Sequence, residues 1–455
     1  MAAASENARE QLVSLKPVYP NPSINLLGLL WNHLGSNSPA TETNAVGCLC
    51  HLAVNQDTRS NATKELTHDP SKMISVMENG PSAQARAQAA LFLKACCTPT
   101  GDNPKGAEAT KRLLVAHGGV EACVRALRSK GAECTSARRD WVVPMMEHVA
   151  GLLQRLLVLD ACKTAAVQHG AVEALASVLA PDTRLPAPVT FETKSAIAAC
   201  LALVTLPTGF EPTILDDLSR VAKLQIGSGG PPALRKAPSE ADADEEDFTP
   251  PGTPPDDTDL ERVGNDEDFV PKQVVVPSLT EEEREARKQQ LLSLSKDLED
   301  HVDLVAKSGV IAHVVSMLKG PEPEEGGGKK KKGKKEPPMP PGMAECQQFA
   351  AQCVRHLALV YHTRKHIVEA GAVPMLTKLC DSKIRSTRQH ARGALLSLGV
   401  DDAAVAVMKA SEVPEHILML SNQSLVEEVK AVAEAEREAK REAERDALRE
   451  LRVGS

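Results

Sequence analysis

Apolar positions recur along this chain at helical spacing, in short runs separated by polar turns. The clearest example is Thr363 to Gly399, TRKHIVEAGAVPMLTKLCDSKIRSTRQHARGALLSLG. The pattern predicts a helix ending at Ala370-Gly371, a second from Val373 to Leu379, a polar turn, and a third from Ser386 to Leu398. A self-contained three-helix unit of roughly 40 residues lies in the period range of helical solenoids, where each unit buries its apolar face against the next.

The pattern recurs. Residues 23–55 read SINLLGLLWNHL, the turn GSNSPAT, then ETNAVGCLCHLAVN; residues 72–98 repeat the scheme with KMISVM, ENGPS and AQARAQAALFLKACC. KRLLVAHGGVEACVRAL adds a helix-glycine-helix junction at Gly118-Gly119. Similar junctions follow at Gly170 (VQHGAVEALASVL), Gly309 (VAKSGVIAHVVSML) and Gly371 (IVEAGAVPMLTKL). A chain that stops one helix and turns sharply into the next needs a left-handed residue there, which glycine adopts without a Cβ penalty. One such glycine means little, but four, each between an apolar helix and a Val-x-x-apolar-like run, form a specific signal.

These residues resemble armadillo repeats over about 23–225 and 300–421, in the reading of helical repeat periods. The resemblance implies an all-α, right-handed α-solenoid whose third helices line a concave partner-binding groove, and a scaffold or adaptor instead of an enzyme. Peptide-reading members of that family carry Asn before the last Leu of an Ala-Leu-x-Asn-Leu motif. The aligned positions here are His51, Arg155, His356 and Ser397. With no bidentate amide at any of them, an asparagine ladder gripping a peptide backbone is not expected. The order of FETKSAIAACLALVTL, an acidic Pro-rich linker and VAKSGVIAHVVSMLKG also resembles the central part of UCS-type myosin chaperones, which implies a chaperone or assembly factor for a cytoskeletal or motor client.

Composition agrees with short, closely packed helices. Hydrophobic residues make up 42% of the chain and aromatics only 2%, so Leu, Ala and Val must carry the burial. The eleven cysteines, including the close pairs Cys48/Cys50 and Cys96/Cys97, fall largely inside apolar helical patterns. They read as reduced core thiols in a reducing compartment, so the expected location is cytoplasmic. Neither a signal peptide nor an apolar run long enough to span a bilayer is read from the sequence.

The net charge of -8 is local in origin. Glu240 to Asp268 holds 13 acidic residues against Arg262, a sum of -12, which leaves +4 for everything else. This stretch belongs to a Gly-, Pro- and acid-rich insertion at 226–278 that cannot bury enough apolar surface to order itself. Within it Thr249 and Thr253 each precede Pro-Pro; they are candidates for proline-directed phosphorylation, or else part of a solvated spacer. A second insertion at 320–342 carries Lys329, Lys330, Lys331, Lys332, Lys334 and Lys335. That run serves as a nuclear-import signal, a contact for an acidic protein or tubulin, or a solubilising loop. From Ser424, EAEREAKREAERDALRELR predicts a long charged helix over 424–452, favoured as a solvated extension over a coiled-coil dimer because a period of four drifts around a 3.6-residue helix.

Chemistry is hard to find. Gly328, Gly333 and Lys334 match the skeleton of a phosphate loop, but Lys335 stands where Ser or Thr should bind magnesium and no apolar strand precedes it. His362 and His366, with Cys353 and His356 upstream, lack a metalloprotease Glu, and no Cys-x-x-Cys exists. Basic residues do not interleave with aromatics, so nucleic acid is not expected as a partner. The chain thus divides into an arm at 1–22, repeats at 23–225, the acidic insertion, repeats at 279–421 and the charged tail. No cofactor, metal or small-molecule substrate is expected, and catalysis would need a constellation assembled only by folding. The expected function is a non-enzymatic scaffold holding a protein partner, cytoskeletal or motor proteins among the candidates, through groove contacts at Arg125, Arg128, His313 and Lys378, polar positions in the helices that follow the glycine junctions.

Overall fold

In the computed structural model the described residues are 26–99, 104–129, 139–180, 188–206, 296–320, 339–415 and 417–418. They belong to one compact unit formed from 1–228 and 294–455; a second unit, 229–293, lies outside the described residues. The arm, Thr249, Thr253, the six lysines of 329–335 and the charged tail also lie outside them.

The described chain is an all-α solenoid. Helices α1 (Leu26–Asn32) and α2 (Pro39–Val54) open it. Three-helix units follow: α3 (Gln56–His68), α4 (Pro70–Asn79) and α5 (Ala83–Cys96); α6 (Pro104–Ala116), α7 (Gly119–Ser129) and α8 (Val142–Leu156); α9 (Asp160–Gln168), α10 (Ala171–Leu179) and α11 (Phe191–Val204). After the acidic insertion come α12 (296–307), α13 (Ile311–Met317) and α14 (Met343–Leu359), then α15 (Tyr361–Glu369), α16 (Ala372–Leu379) and α17 (Arg385–Leu398), with α18 (Asp402–Ala410) beginning one more unit.

The four anticipated junctions are left-handed, at Gly118 (φ 76°), Gly170 (75°), Gly309 (75°) and Gly371 (80°). At the first of them the left-handed residue is Gly118, while Gly119 is already the first residue of α7. The α3–α4 junction escapes this signal because Asp69-Pro70 makes the turn, with Pro at the first helical position where its missing N–H costs nothing. Side-chain caps set other starts: Ser38 accepts from Thr41 N, Ser82 from Ala85 N and Thr190 from Thr193 N.

Packing is dominated by the third helices. α2, α5, α8, α11, α14 and α17 stack in succession, each lying chiefly against the next. Small residues allow the close approach: Ala85, Ala87, Ala89 and Ala90 of α5 and Ala198, Ala199 and Ala202 of α11 are buried. The acidic insertion does not interrupt the stack, for α11 packs directly on α14. Across that seam His356 Nδ1 stands 3.0 Å from Thr205 Oγ1 and 3.1 Å from Ala202 O, and His301 Nδ1 stands 2.7 Å from Val204 O. Since a carbonyl can only accept, both rings carry their proton on Nδ1. Burial drives the His356 pKa down to about 3, so the ring is neutral.

Candidate partner-binding face

The four residues expected to line the groove stand on second helices. Arg125 on α7 donates from Nη2 to Glu78 Oε2 of α4 at 3.0 Å, and Arg128 donates from Nη2 to Gly170 O at 3.2 Å. Each bridges neighbouring repeats. His313 on α13 is half-buried and Lys378 on α16 is exposed. The helices that follow the glycine junctions are second helices, whereas the inter-repeat stack is built from third helices. Alanine at Arg125 is expected to change unfolding free energy by under about 1 kcal/mol in urea melts, because the Arg125 side chain is 55% exposed and water screens its pair with Glu78.

The third helices offer a different set. Equivalent positions are fixed by Leu52 and Leu357, whose carbonyls accept from Thr58 and Thr363 of the following helix, and by Val204, whose carbonyl faces His301. Matching residues in α5, α8 and α17 are Cys96, Leu156 and Leu398. Counting back from this reference, many of the residues that are not fully buried fall on one stripe. It carries Gln84, Gln88, Leu91 and Lys94 on α5; Glu147, His148, Gln154 and Arg155 on α8; Gln348, Phe349, Gln352 and Arg355 on α14; and Gln389, His390, Arg392 and Leu396 on α17.

One constellation on this stripe occurs twice. Lys94 and Arg355 stand two residues before the reference, Gly151 and Gly393 five before it, and His148 and His390 eight before it. In both cases the long cation lies across the glycine of the next third helix: a Cβ at Gly151 would stand 2.9 Å from Lys94 Nζ, and one at Gly393 would stand 2.6 Å from Arg355 Nε. A Cβ at either glycine would occupy the cation's bed and push the long side chain aside. Between α2 and α5 a glycine is covered from the other side, where the Gln88 amide of the later helix lies over Gly47 of the earlier one, with Oε1 3.2 Å from where a Cβ would be.

The electrostatics of the two copies match. Burial, then the neighbouring cation, pushes both imidazoles down to about 4, through Lys94 for His148 and Arg355 for His390. Both rings are therefore neutral at physiological pH. Burial also lowers the Lys94 pKa, with Arg155 adding and Glu147 opposing; burial raises that of Glu147, against the pull of Lys94 and with a push from Glu192. Buried polar atoms without a hydrogen-bond partner concentrate here: His148 Nδ1, Arg155 Nε, Gln88 Oε1 and His390 Nδ1. Such atoms carry a desolvation cost that a bound polar group would relieve.

Of the four positions aligned with the family's asparagine, His356 and Ser397 are fully buried, with Ser397 Oγ donating to Gly393 O at 3.1 Å. His51 is exposed and Arg155 half-buried. The residues that sequence reasoning missed, Lys94, His148, Arg355 and His390, had a readable signal. Gly-x-Leu-x-x-Leu recurs as GCLCHL, GLLQRL and GALLSL, and its glycine marks the bed.

Among the described residues no group of His, Cys, Asp and Glu is placed to hold a metal, and no helix is long and apolar enough to cross a membrane. His362 and His366 border a cleft of about 700 Å³ with Glu299 and Asp303, and His362 Nε2 pairs with Asp303 Oδ1. The ten described cysteines are unpaired and mostly buried, and burial raises Cys50, Cys96 and Cys353 to about 12, leaving inert thiols.

No family model matches the chain, and no curated protein does. Similar solved structures include an engineered protein (14% identity, TM-score 0.45, covering 82% of this chain and 99% of that one). Two others are a designed armadillo repeat protein (11%, 0.44, 82% and 99%) and a designed armadillo repeat protein in complex with the peptide (KR)4 (10%, 0.42, 82% and 100%).

Proposed function

We propose that this chain is a non-enzymatic interaction scaffold that holds an extended segment of a protein partner along the third-helix stripe. The observation that carries this reading is the duplicated bed, in which a cation lies over glycine beside a half-buried neutral histidine. Structural needs alone would be met by alanine at both glycines and apolar residues at the cations, as α11 does with Ala199 and Ala202. Keeping His148 Nδ1, Arg155 Nε and His390 Nδ1 buried without hydrogen-bond partners costs stability, and a binding surface is a setting in which that cost is returned on complex formation. The unpaired, buried thiols support a reducing compartment, which suits the cytoplasm.

Quantitative affinity capture from the native cell tests the reading. Partners recovered by the wild-type chain are expected to be lost with the double variant Lys94→Ala/Arg355→Ala and retained with Arg125→Ala/Arg128→Ala. Equal recovery by both double variants, with unchanged melting curves, would remove the third-helix stripe from consideration.

A further inference from the structure

We propose that Lys94 is a reactive amine that takes the acyl group of small acyl thioesters, so that the third-helix stripe carries a lysine acylation site between α5 and α8. This goes beyond the scaffold reading and does not depend on it, because the reactivity of the amine is read with no partner present.

The observation that carries the proposal is a lysine half out of water with no partner for its charge among the described residues. Five described lysines are buried or half-buried: Lys72, Lys94, Lys111, Lys163 and Lys194. Four of them are compensated. Lys163 Nζ stands 2.8 Å from Asp160 Oδ1, Lys72 pairs with Asp69 at 3.8 Å, Lys111 pairs with Glu108 at 4.0 Å, and Lys194 Nζ lies 5.1 Å from the centre of the Phe191 ring. Lys94 is the exception: among the described residues its Nζ makes neither an ion pair nor a hydrogen bond, and the end of the side chain lies across the backbone of Gly151.

The surroundings favour the uncharged amine. From α8 the side chain is faced by Glu147, His148 and Arg155, and Glu192 of α11 stands beside Glu147. Two carboxylates and two cations balance, so the fall in the Lys94 pKa comes first from burial and then from Arg155, against the pull of Glu147. A desolvated lysine beside a second cation is an activated nucleophile. Its free amine attacks the carbonyl carbon of the thioester, forming a C–N bond; the C–S bond then breaks and the sulfur leaves with the electron pair. The proton lost by the nitrogen passes through Glu147, whose pKa burial raises, to the sulfur, leaving a neutral amide and a free thiol. Arg155 Nε, buried without a hydrogen-bond partner, is a donor for the oxyanion formed on the way. Acylation removes one of the two cations and leaves Arg155 facing both carboxylates, which changes the sign of the charge that this part of the stripe presents.

The probe is acetyl-coenzyme A, a simple acetyl thioester, incubated with the full chain and no enzyme while peptide mass spectrometry follows the initial rate at each lysine. Lys94 is expected to acetylate at least about fivefold faster than the exposed Lys378 and Lys409, and its rate should level off at a lower pH than theirs, because its free amine forms at lower pH. Gly151→Ala, which displaces the ammonium from its bed, is expected to bring the Lys94 rate down to that of the exposed lysines, and Arg155→Gln to lower it by at least about threefold. Circular dichroism melts check the folding of both variants, and the comparison within the wild-type chain stands without them. A wild-type Lys94 rate at or below that of Lys378 and Lys409 overturns the proposal, as does a fast rate that both folded variants leave unchanged.

Discussion

Arg364→Ala is expected to lower the unfolding free energy by about 3 kcal/mol, within the range for breaking a buried charged contact. Arg364 is fully buried on α15 and donates from Nε to Ala358 O at 2.8 Å and from Nη2 to Leu359 O at 3.3 Å. Those carbonyls belong to the last turn of α14, where no intrahelical donor reaches them. Its guanidinium Cζ also lies 5.7 Å from the centre of the Tyr361 ring. Burial lowers its pKa to about 10, with Asp401 at the start of α18 opposing the fall, so the side chain stays charged at neutral pH. Alanine strands both carbonyls and opens a cavity among three helices. Lysine is expected to recover little, because one ammonium cannot reproduce a fork that meets two carbonyls. The same arrangement occurs at Arg59, whose Nε and Nη2 donate to Ala53 O at 2.8 Å and Val54 O at 3.1 Å. Arg59 is only half-buried, so Arg59→Ala is expected to cost about 1 kcal/mol, water taking over the freed carbonyls. Urea unfolding of the three variants checks the order; equal losses at Arg59 and Arg364 would mean that burial does not set the cost.

Much of the architecture was written in local chemistry. The helices of 361–398 fall within a residue or two of their expected limits because each is bounded by a short-range event, such as the left-handed Gly371. The α3–α4 turn was hidden by a different local solution, Asp69-Pro70. What could not be read was which amphipathic helix faces which neighbour. Second and third helices carry similar stripes of polar residues, so Arg125 and Lys94 look alike in sequence; only the fold sets one beside Glu78 and the other across Gly151. Long-range polar contacts were out of reach for the same reason: His356 and Thr205 meet across 151 positions and both insertions. The Thr58-Arg59 and Thr363-Arg364 pairs lay in plain view. Their meaning depends on bonds reaching back to the previous helix, and a periodicity search does not register those.

Gly342→Ala is expected to cost about 2–4 kcal/mol, the sum of left-handed strain and a backbone collision. Gly342 has a φ of 73° and caps the start of α14. A Cβ there would stand 2.7 Å from Glu192 N and 2.9 Å from Glu192 Cα, in the first turn of α11. Backbone atoms in a helix cannot swing aside as a flexible side chain can, so the two third helices would have to separate. The sequence reading placed this glycine at the end of the lysine-rich insertion; in the structure it is where the chain rejoins the stack. Gly371→Ala supplies the control, since Gly371 has a φ of 80° with nothing within 4 Å of the added carbon. That variant carries the left-handed strain alone, about 1–2 kcal/mol. The difference between the two isolates the collision. Loss of stability at Gly342 no larger than at Gly371 would show that the α11–α14 seam is looser than the 2.7 Å approach requires.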